Sequence, residues 1–336
     1  MRTRLTRREL VAAAAVTAAA LTFSTLAPAQ DRVRLRLSSV NSETDQRAIA
    51  LLEKFGPAVA GFASFEPHWN GTLFKQGTEL EAIARDNLEM SITSAQELAV
   101  FFPEFSIFTA GYVHQDAAHQ VAVFNDPLMA PFKQKVEDEL GVKLLTVMYL
   151  GRRQVNLRQS KTDLSVKTPA DLGGVNLRMP GTDAWQFLGK ALGASPTPMA
   201  FTEVYTALQT GAVDGQDNPL PTVVDAKFYE VTKQIVLTSH LVDLNYLAIS
   251  KAVWDDLTAE QQATIQAAAD EAAEFGRQNQ LQKEAELVAF LEKQGMAIYE
   301  PDLSAFRKQV QSMYLESEYA ESWPEGLLAK INALGN

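Results

Sequence analysis

Apolar and polar residues alternate through residues 32–39, where arginine is followed three times by valine or leucine. A period of two indicates a strand with one buried face. Other short apolar runs predict further strands at residues 62–69, 88–93, 142–149, 175–179, 234–238 and 241–250. Between them, residues 45–55, 126–140 and 183–192 have the pattern of helices. Strands that alternate with helices indicate the α/β class.

The longest helical signal covers residues 258–293. Thr258 and Gln261 form the capping-box pattern of a helix N-terminus, and apolar residues recur at helical spacing after it. At about 1.5 Å per residue this helix is about 50 Å long, which exceeds the ~30 Å of a small domain. It therefore either bends, with Gly276 as the favoured position, or runs along two lobes.

Residues 1–29 have the pattern of an export signal. Several arginines precede an apolar, uncharged run, and Ala27-Pro28-Ala29 fits a signal-peptidase site. We therefore predict cleavage near Ala29 and a periplasmic protein. A membrane anchor is the alternative, although the alanine-rich run is only weakly hydrophobic. Thr6-Arg7-Arg8-Glu9-Leu10 also resembles a twin-arginine signal, so two export routes stay open. No cysteine follows the run, which excludes a lipid-anchored lipoprotein.

The chain carries a formal net charge of −11 and contains no cysteine. The acidity argues against nucleic acid and anionic membranes as partners. The lack of cysteine fits an exported protein without a disulfide framework. The chain has only four histidines, and His114 and His119 lack metal-ligand spacing, so we predict no metal centre and no cofactor. No nucleophile elbow or phosphate-binding loop occurs in the sequence.

Residues 195–231 combine an extended, proline-containing entry with a short helix and a strand-to-helix crossover. Thr202 is the predicted cap of the helix, and Gly211 its left-handed stop. Asn218 then precedes a proline, which favours an extended backbone followed by a new helix. At such crossovers polar side chains face the ligand crevice of an α/β sheet. The alternative for Asn218 is that it only caps the helix.

Two sequences in this segment, F-T-E-V-Y-T-A-L-Q-T-G-A-V-D-G-Q-D-N-P-L and K-F-Y-E-V, carry a family resemblance. They resemble the signature of the DctP family, the periplasmic solute-binding proteins of tripartite ATP-independent periplasmic (TRAP) transporters. Earlier in the chain, D-L-G-G-V-N-L-R-M-P-G is similar to the family's D-L-K-G-L-K-I-R-V-P. Weaker similarity extends over nearly the whole mature chain.

The resemblance implies a two-lobed α/β binding protein of the venus-flytrap type, with a long helix that spans both lobes. On this basis we expect a signal peptide at residues 1–29. Lobe I is expected to comprise residues 30–150 with about 239–275. Lobe II is expected to comprise residues 151–238 with about 276–336. The ligand would bind in the cleft between the lobes.

The resemblance also places Arg178 where family members bind the carboxylate of the ligand. The guanidinium group is a planar two-donor fork that fits a carboxylate, and a strand holds it more rigidly than a loop does. Arg153 matches a family Gly-x-Arg pattern, and Arg152 is an extra arginine that would hold a second acidic group if it faced the cleft. The interval between Arg153 and Arg178 is a few residues longer than the family pattern. The alternatives are a structural role for Arg178 and two solvated surface arginines at 152 and 153.

Further candidates come from the loops and strands around the expected cleft. Phe201 corresponds to an aromatic floor in the family, with Tyr205 as the alternative. Trp185 is a candidate wall that is equally well explained as a core or surface aromatic. The remaining candidates are small polar residues that follow or lie in strands, namely Ser39, Asn41, Ser94, Asn218 and Asn245. For Ser39 and Asn41 the alternative is helix capping.

The predicted function is capture of a small organic acid anion in the periplasm and its delivery to a permease with small and large integral membrane subunits. An exported enzyme on a similar scaffold and a ligand-sensing module remain as alternatives. The sequence does not choose between a sugar acid, a keto acid, a dicarboxylate and an aromatic acid. A second arginine would favour two acidic groups, and the aromatic residues would favour a ring.

Overall fold

Nine strands form one sheet in the part of the chain that the computed structural model describes, residues 32–158 and 163–335. The predicted leader lies outside these residues. The strands are β1 Val33–Ser38, β2 Ala63–His68, β3 Met90–Ser94, β4 Val142–Arg158, β5 Asn176–Met179, β6 Ser195–Pro198, β7 Gly215–Asn218, β8 Thr232–Ser250 and β9 Ala297–Tyr299. Their order in the sheet is β2-β1-β3-β8-β4-β7-β5-β6, and β9 pairs with β8. The predicted α/β class is confirmed.

Helices pack against this sheet. The α-helices are α1 Gln46–Ala50, α2 Gly56–Val59, α3 Glu79–Ala84, α4 Ala95–Leu98, α5 Ala117–Asn125, α6 Ala130–Leu140, α7 Asp183–Ala191, α8 Val204–Thr210, α9 Leu220–Asp225, α10 Lys251–Asp255, α11 Ala259–Lys293, α12 Leu303–Leu315, α13 Glu318–Ser322 and α14 Leu327–Ala333. A π-helical turn joins α1 to α2, and short 3₁₀ turns precede several other helices. None of the helices described is both long and apolar enough to cross a membrane.

The two longest strands, β4 and β8, connect the two halves of the sheet. β3 pairs with the last residues of β8, while β7 pairs with the last residues of β4. The sequence predicted that β4 ends at residue 149 and that β8 is two strands, and both predictions were wrong. Bulges interrupt the β4–β8 register near Gly151 and Arg153, and Ser239 adopts a positive φ of 45°. These irregularities break the apolar alternation on which strand prediction depends.

The helix α11 runs without a break along both halves of the sheet. Its predicted capping box, between Thr258 and Gln261, is present. It contacts β4, α1, α9 and β9. Gly276 lies inside the helix, where a Cβ atom would be 3.2 Å from that of Ala50. The glycine therefore allows α1 to approach closely, and the helix continues through this position.

Where β4 crosses between the halves of the sheet, hydrogen bonds to α11 stabilise the bulge in β4. Glu284 of α11 accepts hydrogen bonds from the Tyr149 hydroxyl and the Arg152 backbone N–H, both at 2.6 Å. Gly151 has a φ of +128°, and a Cβ atom there would lie 2.6 Å from both Glu284 Oε1 and Pro219 Cβ. A glycine is needed at this crossing for both its conformation and its packing.

The predicted N-terminal cap of the short helix differs in the structure. Thr202 makes no capping hydrogen bond, and the helix begins at Val204 after a 3₁₀ turn. Gly211 does end that helix in the left-handed conformation, with φ of 84°. The helix after β7 has Pro219 as its N-cap, so Asn218 does not cap it and its amide is available for another role.

Candidate functional site

One cavity gathers polar side chains from both halves of the sheet. Its volume is about 200 Å³, below the roughly 300–1,000 Å³ typical of pockets for drug-sized molecules. It therefore suits one small molecule. Nine of the predicted site residues line it, namely Ser39, Asn41, Ser94, Arg153, Arg178, Trp185, Phe201, Asn218 and Asn245.

Arg178 is a buried cation at this cavity. It lies in β5 and is only 1% exposed. Its Nε and Nη2 both donate to the carbonyl oxygen of Met199, at 3.0 and 2.7 Å. No carboxylate in residues 32–158 or 163–335 forms an ion pair with it. Burial lowers its pKa to about 9, and the charge of Arg153 acts in the same direction, against Asp217. A buried charge without a counterion is costly, so this group favours binding of an anion.

Arg153, by contrast, already has two counterions. Its Nε lies 2.6 Å from Asp243 Oδ2, and its Nη1 lies 3.2 Å from Asp217 Oδ2. Burial raises the pKa of Asp243. Burial also acts to raise the pKa of Asp217, but Arg153 and a hydrogen bond from His240 outweigh it and lower that pKa. The guanidinium carbon of Arg153 lies 4.3 Å from the ring centre of Trp185. Arg153 therefore supports the aromatic wall of the cavity but carries no unpaired charge.

Arg152 lies elsewhere. Successive residues of a strand point to opposite faces of the sheet, and Arg152 donates to the Gln115 carbonyl at 2.7 Å. It lines a different cavity, with Tyr112 and Arg307. The structure does not bring Arg152 to the cavity of Arg178, so the expectation that it holds a second acidic group there loses its basis.

Aromatic rings flank the cationic part of the cavity. Phe201 lies 5.9 Å from the guanidinium carbon of Arg178 and packs edge-on against Phe228. The alternative aromatic residue, Tyr205, donates its hydroxyl to Glu230 at 2.7 Å and does not line the cavity. Asn218 is the last residue of β7, and its amide donates to Gln216, which fixes the orientation of its oxygen toward other donors.

Small polar residues from the first half of the sheet line the other side. Ser39 donates to the side chain of Asn41 in the loop after β1. Ser94 forms a capping box with Glu97 at the start of α4. Asn245 accepts from Arg47 Nη1. These side chains are thus held in place by the protein itself, which is the pre-organisation that a binding site requires.

Sequence reasoning missed several residues that line the cavity. Arg47 is one, and Asp45 holds it at 2.8 Å. Another is Gln76, whose Oε1 accepts from the Phe201 N–H at 2.9 Å. Glu97, Thr222 and Asp225 also line it. The sequence Asp45-x-Arg47, directly after the polar loop that follows β1, could have indicated that Arg47 lies near the cavity. Among the described residues no group of three His, Cys, Asp or Glu side chains forms a candidate metal site.

Comparison with known proteins identifies the chain's relatives. The sequence model of the DctP family, described as "Bacterial extracellular solute-binding protein, family 7", matches residues 39–321. The sialic acid-binding periplasmic protein SiaP of Vibrio cholerae is 30% identical over 326 residues, which cover 95% of this chain and 98% of that protein.

Solved structures give a similar result. A TRAP periplasmic solute-binding protein from Roseobacter denitrificans, with bound 3-deoxy-D-manno-oct-2-ulosonic acid (KDO), is 73% identical with a TM-score of 0.90. The match covers 91% of this chain and all of that one. A second protein from Roseobacter denitrificans, with bound L-galactonate, is 27% identical with a TM-score of 0.80, over 91% of this chain and 99% of that one.

Proposed function

The chain belongs to the DctP family of bacterial extracellular solute-binding proteins, and on that premise we propose that its ligand is KDO or a closely similar 2-keto sugar acid. Like its relatives, it is a two-lobed α/β protein that captures a small organic acid anion for a TRAP transporter. It is a binding protein of the extracellular or periplasmic space. KDO is proposed because a 73% identical protein binds it.

The observation that carries the ligand class is Arg178, a buried cation in a small cavity without a carboxylate partner among the described residues. We propose that it holds the ligand's carboxylate through two parallel hydrogen bonds. Asn218 adds a polar contact, and Phe201 and Trp185 form the apolar walls. Ser39, Asn41, Ser94 and Asn245 contact the ligand from the other half of the sheet. The role of Arg153 in this proposal is to orient the ring of Trp185, because Asp217 and Asp243 already pair with its charge.

The proposed lobes follow the two halves of the sheet. Lobe I comprises residues 30–150 with about 239–275, and lobe II comprises 151–238 with about 276–336. The irregular positions at Gly151 and Ser239, one in each connecting strand, support these boundaries.

A ligand that contacts both lobes stabilises the closed form relative to the open form. The closed form would then dock on the small and large membrane subunits of a TRAP permease, after export and cleavage near Ala29. The twin-arginine route remains one of two proposed routes.

Isothermal titration of the mature protein tests the ligand. KDO, L-galactonate, N-acetylneuraminate and succinate should be titrated after the protein has been unfolded and refolded to remove bound ligand. We expect the tightest binding for KDO. Tight binding of another acid with no heat from KDO would show the proposed ligand to be wrong and would leave the family unaffected.

A further inference from the structure

Two unpartnered polar side chains on α9 face the cavity. Thr222 and Asp225 are three residues apart, so they lie on the same side of the helix, and both line the cavity. Thr222 is 6% exposed, and its hydroxyl has no hydrogen-bond partner. Asp225 is half-buried, and its side chain makes no hydrogen bond or ion pair with any other described residue. Buried polar groups are nearly always partnered, so these two indicate a place for ligand atoms.

The charges around Asp225 determine which ligand atoms fit there. Burial and then the charge of Asp45 raise its pKa to about 6, against the opposing effects of Lys283 and Arg47. At neutral pH it is therefore a carboxylate with another carboxylate nearby. Such a group accepts hydrogen bonds from hydroxyls and repels a second acidic group.

A count of paired charges limits the ligand further. Three arginines line the cavity: Arg47, Arg153 and Arg178. Asp45 pairs with Arg47, and Asp217 and Asp243 pair with Arg153. Arg178 alone among these three has no carboxylate partner in the described residues. Of the carboxylates that line the cavity, Glu97 and Asp225 form no ion pair with a described residue. Glu97 already accepts hydrogen bonds from the Thr93 hydroxyl and the Ser94 N–H. The cavity thus has one unpaired cation on β5, and the carboxylate on α9 is the one whose side chain has no partner.

We propose that Thr222 and Asp225 bind neighbouring hydroxyls in the tail of the ligand and so select acids with one carboxylate and a hydroxylated tail over diacids. The carboxylate of Asp225 accepts two hydroxyl hydrogens, and the Thr222 hydroxyl donates to or accepts from the same segment. This inference rests on the proposed function, in which Arg178 binds the single carboxylate of the ligand.

The test compares two ligands that share the acid end and differ in the tail. KDO has eight carbons, and 2-keto-3-deoxy-D-gluconate has the same keto-acid end but only six. The wild-type protein and the variants Asp225→Asn, Thr222→Val and Glu230→Gln are titrated with both. Glu230 is a matched control because it pairs with Tyr205 and does not line the cavity.

We expect Asp225→Asn to weaken KDO binding about 10- to 100-fold, which is the range for a hydrogen bond to a charged group. Thr222→Val should weaken it about 3- to 10-fold. The affinity for the shorter acid should change less than about 3-fold in both variants. The ratio of the affinity for KDO to that for the shorter acid should therefore decrease. Glu230→Gln should leave both affinities unchanged. An equal loss for the two acids, or no loss for either, would overturn the inference.

A diacid provides a second readout. Galactarate carries a carboxylate at the position of the terminal CH₂OH of L-galactonate. We expect the wild type to bind L-galactonate more tightly than galactarate. In Asp225→Asn the ratio of these two affinities should be about 10-fold smaller. If the wild type binds a sugar acid other than KDO, the proposed ligand is wrong, and the inference is then decided with that acid and its shorter analogue. If the wild type binds diacids more tightly than monoacids, the inference fails whichever sugar acid is bound. Unfolding of the ligand-free variants by heat checks that each is folded.

Discussion

Arg153 donates from Nε to Oδ2 of Asp243 at 2.6 Å, and this buried ion pair joins β4 to β8 beside the cavity that Arg178 lines. Removal of one partner from such a pair leaves an uncompensated buried charge, which costs about 3–5 kcal/mol. We expect Arg153→Ala to lower the free energy of unfolding by about this amount. Arg152→Ala, on the opposite face of the same strand, should change it by less than about 1 kcal/mol. Urea unfolding of both variants measures the difference, and equal effects would contradict the prediction.

Arg178 should behave in the opposite way. Because its charge is buried without a carboxylate partner, Arg178→Met should not reduce the stability of the ligand-free protein, since it removes an uncompensated charge. It should weaken ligand binding by at least about 100-fold, through the loss of two charge-assisted hydrogen bonds. Arg178→Lys keeps the charge without the fork and should have an intermediate affinity. Titration calorimetry and thermal unfolding give the two readouts. A loss of stability that accompanies the loss of binding would indicate a structural role.

Two glycine-to-alanine variants test whether the crossing of β4 between the two halves of the sheet requires a residue without a side chain. Gly151 and Gly174 both have positive φ angles, of 128° and 76°. A Cβ atom at Gly174 has nothing within 4 Å, whereas at Gly151 it would meet Glu284 and Pro219 at 2.6 Å. Backbone strain should cost each alanine variant about 1–3 kcal/mol. The clash should make Gly151→Ala clearly less stable, with a midpoint at least about 3 °C below that of Gly174→Ala. Equal midpoints would show that the crossing tolerates a side chain.

We expect the buried carboxyl group of Glu79 to make the free energy of unfolding depend on pH. Burial, and then the charge of Glu97, raise its pKa from 4.5 to about 8. The folded state therefore binds a proton at Glu79 more tightly than the unfolded state does. The free energy of unfolding should thus fall as the pH rises from about 4.5 to about 8. Glu79→Gln removes this dependence, so its midpoint should exceed that of the wild type by an increasing margin between pH 5 and pH 8.

The matched control for this experiment is Glu81→Gln. Glu81 lies on the same helix, α3, but is exposed and pairs with Arg85 at 3.6 Å. Its midpoint should follow that of the wild type at each pH. A margin for Glu79→Gln that stays constant with pH would mean that Glu79 does not titrate in this range.

The sequence was most informative where a local pattern determines structure. The capping box of α11, the stop at Gly211 and the strand that carries Arg178 all depend on residues close together in the chain, and each was predicted. The long strands β4 and β8 were not, because bulges near Gly151 and Arg153 interrupt the apolar alternation on which a strand prediction rests.

The electrostatic state of the site could not be predicted from the sequence. Arg153 and Arg178 look alike as isolated arginines, but only tertiary structure brings Asp217 and Asp243 to Arg153 and leaves Arg178 without a carboxylate. Arg47 and Asp225 were missed for the same reason, since their position at the cavity depends on the packing of α1 and α9. Two arginines in a sequence are therefore a poor guide to the number of acidic groups in a ligand.

The continuity of α11 also affects how the molecule unfolds. Its N-terminal part buries Ile265 and Ala269, and its C-terminal part places Leu291 in the apolar cluster that contains Val223 and Phe228. Neither half of the sheet can lose its structure without exposing a face of this helix, and β4 and β8 link the halves a second time. The two lobes should therefore melt together in one cooperative transition, with equal calorimetric and van't Hoff enthalpies.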